Sequence, residues 1–538
     1  MRVRPELTGR YAFPALVALL LGVVGAFLAR TTMHLHWPYD VDLYRDIGQA
    51  QWVREGHLLS DANYRGASAW YNPLLSWVVA GGSKLTGIAV STLTTRGGVV
   101  LNLFAPITLT VLVARWFGRL AAGFTLVAFV FLVCGPYPSW AVATYSPWLF
   151  QANFAQGWCY LALLALPRAF ERARVRDEVV LGLLIGLTAL AHTAPAIILA
   201  VVVVAAGVRR VRHHGAPTAA VVRAVAVAGG TSFVVASPFL VPLAVRYRFH
   251  VRNELPTAFV WDELRNEHLA RFAWDFGVRW PIVLGAGAAF LWWRRHRDRA
   301  DDLRVTVLVT WTAAAFFALL LTCYGSGSLP GASAVPSVVP SYHWFLYLSA
   351  AMCVWFGIGV AALVRDLARV RLPVSTTPIV AVAVALLMVA AAAPQWRHRD
   401  ERTKTRDTSL ALGVMFDQFA VSRWIERSTA EDAVVLYDLP EEQALLVGAL
   451  DGRRTVVVGA FFSNPFVDWK RRTNDAASML ASLSACRLTD FRELARAYGV
   501  DEVVTATGGP LVQLRDTCAG VTEAYSDPFA TVLTIAAS

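Results

Sequence analysis

Charge is what this sequence has least of. Only 16% of its 538 residues are Asp, Glu, Lys or Arg, against about 25% in a soluble domain, and 56% are hydrophobic. A large soluble enzyme is thereby excluded. Lysine is almost missing: of 49 cations only Lys84, Lys404 and Lys470 are not arginine, a bias that reflects coding composition before function. The scarcity is also uneven. Residues 1–395 hold 33 Lys+Arg and 18 Asp+Glu, whereas residues 396–538 hold 16 and 20, so a basic membrane part precedes a mildly acidic, soluble tail. The basic excess sits in short clusters between apolar runs, where the positive-inside rule accounts for it, and nucleic-acid binding does not follow.

Three further absences narrow the function. No apolar run carries an acid in its middle, which counts against an ion- or proton-coupled transporter. No phosphate-binding glycine pattern is present, so no nucleotide is implied. Cys134, Cys159, Cys323 and Cys353 show no metal spacing; Cys486 and Cys518 are the only cysteines of the tail, either a disulfide of an exported domain or two unrelated buried thiols.

What is present begins with about eleven apolar runs, each near the ~20 residues of a helical crossing. They fall near 11–30, 97–114, 119–134, 150–167, 179–192, 194–208, 221–243, 280–293, 305–322, 343–364 and 374–394. The fifth and sixth are separated by Ala191-His192-Thr193-Ala194-Pro195, a polar, proline-bearing break. With the N-terminus in the cytoplasm, 21 cations lie on the inner side and 12 on the outer, and the tail is outside. A cleaved signal peptide over residues 1–30 is the less economical alternative, because the rest of the chain is itself polytopic. The expected organisation is a transmembrane domain over 1–395, with a first outer loop near 31–96, and an extracytoplasmic α/β domain over 396–538 of a plasma (inner) membrane protein. In that tail Ala433 to Tyr437, Arg454 to Val458 and Asp501 to Thr505 read as strands, and Glu441 to Leu450 and Asp490 to Tyr498 as helices, forming a small parallel sheet.

All ten acids outside the cytoplasmic clusters fall in two outer loops: Asp40, Asp42, Asp46, Glu55 and Asp61 in the first, and Glu254, Asp262, Glu263, Glu267 and Asp275 in the second. From Asp42 the spacing Leu43, Ile47, Ala50 predicts a short helix lying on the membrane, with Asp42 and Asp46 sharing its polar face. Asp40 or Asp42 either caps that helix or works chemically. Carboxylates beside Trp37, Trp70 and Tyr71 suit sugar chemistry, because a base takes a hydroxyl proton and aromatic faces stack on sugar rings.

Gly56, Leu58, Asp61, Tyr64 and Gly66, followed by Trp70-Tyr71, Pro73 and Leu74-Leu75, resemble the corresponding stretch of the GT-C superfamily of polyprenyl-phosphate-dependent glycosyltransferases. The likeness extends through Leu190-Ala191-His192, Ser237-Pro238-Phe239 and Ser341 to Phe345, and into the tail at Trp424-Ile425-Glu426, Asp451 to Arg454 and Tyr498-Gly499-Val500. Val41-Asp42 with Arg45, and Ser463 to Phe466 with Lys470-Arg471-Arg472, are similar to actinobacterial arabinofuranosyltransferases. The resemblance implies inverting transfer of an arabinofuranosyl or mannosyl sugar from a polyprenyl-phosphate donor to an envelope glycan or glycolipid. Its base is Asp42 in one register and Asp40 in the other. Arg246, Arg248, Arg252 and His343 are expected at the donor phosphate, and Trp37, Tyr44, Arg65, Trp70, Tyr71, His192 and Glu263 at the substrates. His192 alternatively serves packing through a hydrogen bond. Ca²⁺ or Mg²⁺ bridging Asp40, Asp42 and the phosphate is compatible with these oxygen ligands, though no spacing demands it. A lipid-linked glycan flippase and an inactive assembly scaffold are the rival readings.

Overall fold

The computed structural model describes all residues except 1–4, 39, 133–143, 259–279, 296–301, 329–338, 340, 370–381, 384–385, 387–388, 391–419 and 537–538. Its helices are α1 Pro5–Thr32, α2 Val41–Arg54, α3 Leu74–Thr86, α4 Val90–Leu101, α5 Phe104–Trp116, α6 Arg119–Val127, α7 Gln151–Arg172, α8 Val175–Ala191, α9 Thr193–His214 and α10 Thr218–Tyr247. They continue with the single turn α11 Leu255–Ala258, then α12 Trp280–Arg295, α13 Leu303–Ser328, α14 Ser341–Arg369, α15 over 420–428, α16 Glu441–Asp451, α17 Trp469–Ser484 and α18 Leu488–Tyr498. Helix occupies each of the first ten expected crossings; the eleventh, 374–394, falls largely outside the described residues. Among the described residues six spans qualify as membrane-crossing by length and composition: 12–32, 90–116, 193–213, 218–247, 303–322 and 343–366. The protein is thus a mostly helical, multi-pass membrane fold with a small sheet. The structure does not fix the number of crossings at eleven.

The chain forms two compact units. The first comprises 1–34, 95–237 and 259–404, with an apolar core of side chains from α5, α6, α7, α9, α13 and α14. Its helices approach through small residues. Gly182 and Gly186, one turn apart on α8, lie against Ala228, Ser232 and Val235 of α10, and a methyl group at Gly357 of α14 would overlap Thr125 and the carbonyl of Ala121 on α6. Where lipid is as apolar as leucine, such close backbone approach is what joins helices. The predicted break is a single residue: His192 is extended (φ −166°, ψ 142°), ends α8 and caps α9, its Nδ1 accepting from Ala194 N at 3.2 Å.

The second unit comprises 35–94, 238–258 and 405–538. Its sheet contains β1 Val434–Asp438, β2 Arg454–Thr455, β3 Val500–Ala506, β4 Val521–Ser526 and β5 Ala530–Ile535, in the order β2-β1-β3-β5-β4. Alternate residues serve the two faces. Val434, Leu436, Val503 and Leu533 pack with Met479, Leu483 and Phe491, and Val435, Val504 and Val532 pack with Val421, Ile425 and Val447. The expected parallel sheet is mixed: β2, β1 and β3 are parallel, but β5 is antiparallel to β3 and β4 to β5. Asp527 accepts from Phe529 N and Ala530 N, both at 2.8 Å, forming the tight turn that antiparallel neighbours permit and parallel ones do not. The strand expected over 454–458 shrinks to two residues because side chains take the later backbone groups. Arg472 Nη1 donates to Val456 O (2.9 Å), Trp469 Nε1 to Val458 O (2.9 Å), and Val458 N to Tyr64 Oη (3.3 Å). Gly452 and Gly499 close α16 and α18 in the left-handed region, as a helix C-terminus favours. Cys486 and Cys518 form a disulfide between the α17–α18 turn and the start of β4.

Candidate functional site

The carboxylate cluster grows from the first turns of α2. Leu43, Ile47 and Ala50 are fully buried, so the spacing read from the sequence does set the inward face. Asp40 is the N-cap: its Oδ1 accepts from Asp42 N at 2.9 Å, satisfying one of the helix's orphan donors. The Asp42 side chain, 37% exposed, lies 3.5 Å from Arg45 Nη1. Asp46 departs from the expected solvated polar face. It is buried, and its Oδ1 takes both Nε and Nη2 of Arg45 at 2.9 Å. Arg45 in turn stands 4.0 Å over the Tyr71 ring and 5.9 Å from that of Trp70.

Burial pushes the Asp46 carboxyl up to about 6, with Asp42 adding repulsion and Arg45 opposing both. Burial works against the Arg45 charge, but Asp46, Tyr71 and Asp42 outweigh it and hold the guanidinium protonated. The result is an Arg45–Asp46 pair locked inside, beside one open carboxylate. Asp46 was read from the sequence only as a partner on the polar face; the adjacency of Arg45 and Asp46 was the signal for the pair. A divalent cation fits poorly here. One Asp40 oxygen is engaged by the helix, Asp42 Oδ1 lies 3.5 Å from the Arg45 guanidinium, and no group of three or more His, Cys, Asp or Glu suited to a metal occurs among the described residues.

The other expected residues disperse. Tyr44 is buried and its hydroxyl donates to Pro38 O at 2.8 Å. Trp37 is buried at the wall of a separate cavity. Arg65 forms a half-exposed ion pair with Asp432 at 3.1 Å. Arg246, Arg248 and Arg252 are exposed around the end of α10, where Arg248 and Phe249 both take positive φ (51° and 54°), strained for side chains of their size. That turn lets Arg252 N and Asn253 N donate to Pro465 O at 2.8 and 3.0 Å. Glu263 lies outside the described residues.

In the first unit His192 and His343 are buried together, His192 Nε2 2.8 Å from His343 Nδ1. A backbone N–H can only donate, so His192 Nδ1 is the acceptor of Ala194 N; a neutral His192 then carries its proton on Nε2 and gives it to His343 Nδ1. His343 is left with Nε2–H as its donor.

The motif stretch 56–66 has a different place. Asp61 is buried, accepting from Asn63 N (2.7 Å), Tyr64 N (3.2 Å) and Asn464 Nδ2 (2.8 Å). Tyr64 Oη pairs with Ser463 Oγ at 2.8 Å under the Arg472 guanidinium, and Tyr247 stacks on Phe466. The Ser463–Phe466 loop thus clasps the 61–68 segment and the end of α10 within the second unit, a structural use of two motifs that carry the family resemblance.

The fold is similar to that of solved membrane glycosyltransferases of GT-C type. Archaeal oligosaccharyltransferase AglB from Archaeoglobus fulgidus, solved with an inhibitory peptide and a dolichol-phosphate, is similar with TM-score 0.58 at 12% identity over 94% of this chain and 70% of its own. ArnT from Cupriavidus metallidurans bound to undecaprenyl phosphate is similar with TM-score 0.56 at 14% identity over 98% of this chain and 99% of its own. Mycobacterial arabinofuranosyltransferase AftD is similar with TM-score 0.51 at 13% identity over 97% of this chain, which spans 40% of AftD. By sequence, neither a protein-family model nor a curated protein matches.

Proposed function

We propose that the protein is an inverting glycosyltransferase that moves an arabinofuranosyl or mannosyl sugar from a polyprenyl phosphate to an envelope glycan or glycolipid at the outer face of the plasma membrane. The observation that carries this reading is the open carboxylate of Asp42 beside the locked Arg45–Asp46 pair on a GT-C fold. The lipid phosphates bound to AglB and ArnT support a donor of that kind. Asp42 takes the acceptor hydroxyl proton; the acceptor oxygen bonds to the anomeric carbon as the bond to the phosphate oxygen breaks, and the polyprenyl phosphate leaves with the electron pair. Such a leaving group needs no second carboxyl to protonate it. Arg45 positions Asp42, Asp46 positions Arg45, and Trp70 and Tyr71 offer ring faces to the sugar. Arg246, Arg248 and Arg252 donate to the departing phosphate through their planar forks. In this reading residues 1–395 perform transfer, 396–538 hold the acceptor outside, and the N-terminus is cytoplasmic.

The test is a transfer assay with polyprenyl-phosphate arabinose and mannose on membranes carrying Asp42→Asn, Asp40→Asn and the double variant. Asp42→Asn lowers the rate by about 10²–10⁴-fold, the usual worth of a general base, without changing Tm. Asp40→Asn, which still caps α2, retains activity within about tenfold. Full activity in all three variants rejects Asp42 and Asp40 as the base; absence of transfer by the wild-type protein rejects the glycosyltransferase reading and leaves a flippase or an assembly scaffold.

A further inference from the structure

On the side of α2 turned away from Asp42 and Asp46, a second site is built. A cavity of about 330 Å³ opens within the second unit between α2, the segment 89–92 that begins α4, and α15. Trp37 forms one wall, Gln51 and Arg54 enter from α2, and Arg423 and Glu426, three apart and so on one face of α15, enter from the tail. The Gln51 amide is oriented by its donation to Glu55 Oε1 at 3.1 Å, and the rim is tied by His36 Nδ1 to Thr92 Oγ1 at 3.2 Å.

Size and chemistry exclude most occupants. The volume is at the lower end for small-molecule pockets, about 300–1,000 Å³, and too small for a polyprenyl chain. Its lining is more apolar than polar, yet it is open, whereas an empty structural void would be closed. A lining that combines the Trp37 ring and apolar side chains with guanidinium donors and carboxylate and amide acceptors is complementary to a sugar ring, which has apolar C–H faces and a belt of hydroxyls that both donate and accept.

We infer that this cavity is a saccharide-binding site for one or two sugar residues, distinct from the carboxylate cluster across α2. It rests on the proposed glycosyltransferase reading only for the identity of the sugar. A glycan held there by residues away from its reacting hydroxyl would present a chain end to the reaction while keeping the product attached, so transfer to long acceptors depends on it more than transfer to short ones.

The experiment uses the full chain in detergent with an α-linked arabinofuranosyl trisaccharide and a mannotriose as probes, read by saturation-transfer NMR and by intrinsic tryptophan fluorescence. Binding of one probe is expected, weakened about tenfold by Arg423→Ala and by Arg54→Ala, with the fluorescence response lost in Trp37→Phe. Arg423 is exposed, so Arg423→Ala reports on binding and not on folding. Binding of neither probe at about 10 mM, or equal binding by wild type, Arg423→Ala and Arg54→Ala, overturns the inference. Those results leave the transfer reading standing if Asp42→Asn is inactive; conversely, weakened binding in the arginine variants alongside an active Asp42→Asn upholds the pocket and rejects the proposed base.

Discussion

The two compact units are assembled by different means. In the first, helices meet backbone to backbone through Gly182, Gly186 and Gly357, and hydroxyls such as Thr108, Thr110 and Thr188 donate to carbonyls of their own helices. In the second, segments 179 to 403 residues apart are joined by directional side-chain bonds: Ser68 N to Tyr247 Oη, Tyr64 to Ser463, Asn464 to Asp61. The difference follows from the solvent. Lipid cannot satisfy a stray polar group and gives no hydrophobic reward for joining helices, so close packing carries that unit. Water competes for every polar contact, so the second unit gains specificity by burying its bonds. His192 and His343 stand out because they place a paired, directional bond inside the closely packed unit.

The largest expected effect attacks close packing. Gly357→Leu has no room against Thr125 and Ala121, and is expected to cost several kcal/mol or abolish a folded product, read as loss of the monodisperse peak in detergent. A normal peak and Tm would show that α6 and α14 tolerate separation. Next, Cys486→Ser removes a crosslink between residues 32 apart, for a loss of about 2–4 kcal/mol confined to the second unit. Limited proteolysis should then cut the tail first, and an unaltered tail lifetime argues against that role. Asn464→Ala leaves the buried Asp61 without its side-chain donor at a cost of about 1–3 kcal/mol. Its tail loop should gain hydrogen exchange, while exchange over α8 and α14 stays constant; a uniform rise would erase the contrast between units.

The smallest effect is a pH dependence. Asp451 is buried, accepting from Tyr437 Oη (2.7 Å) and Arg453 N (2.8 Å), and burial pushes its carboxyl up to about 7. From about pH 4 to 7 the folded chain therefore keeps a proton that the unfolded chain releases. Its stabilising share is full below the unfolded value and is lost as pH rises through 7. Asp451→Asn, which cannot ionise, should match wild type at pH 4 and exceed it at pH 8, the gap opening as pH rises between those values. A difference in Tm that does not change with pH would contradict the burial argument.

Much of this was legible beforehand. Long apolar runs announced helices, and Asp451-Gly452 and Tyr498-Gly499 announced helix ends, because each signal is local. The mixed sheet was harder. Val521–Ser526 and Ala530–Ile535 alternate too weakly on β4, where four of six residues are exposed. The buried Asp46 was misread because one helix's periodicity does not reveal which neighbour covers it.

The sequence by itself determined where charge is permitted: in residues 1–395 acids restricted to the segments between apolar runs, and a short amphipathic helix beginning near Asp42. Burial in lipid and the 3.6-residue period act along the chain, so composition and spacing suffice to see them. Only the tertiary structure decided which carboxylate is open, which is locked to Arg45, that Asp61 and Tyr64 belong to a clasp, and that His192 and His343 are hydrogen-bonded. Each depends on groups brought together from distant positions, and hydrogen bonds act over about 3 Å in space, whatever the separation in sequence.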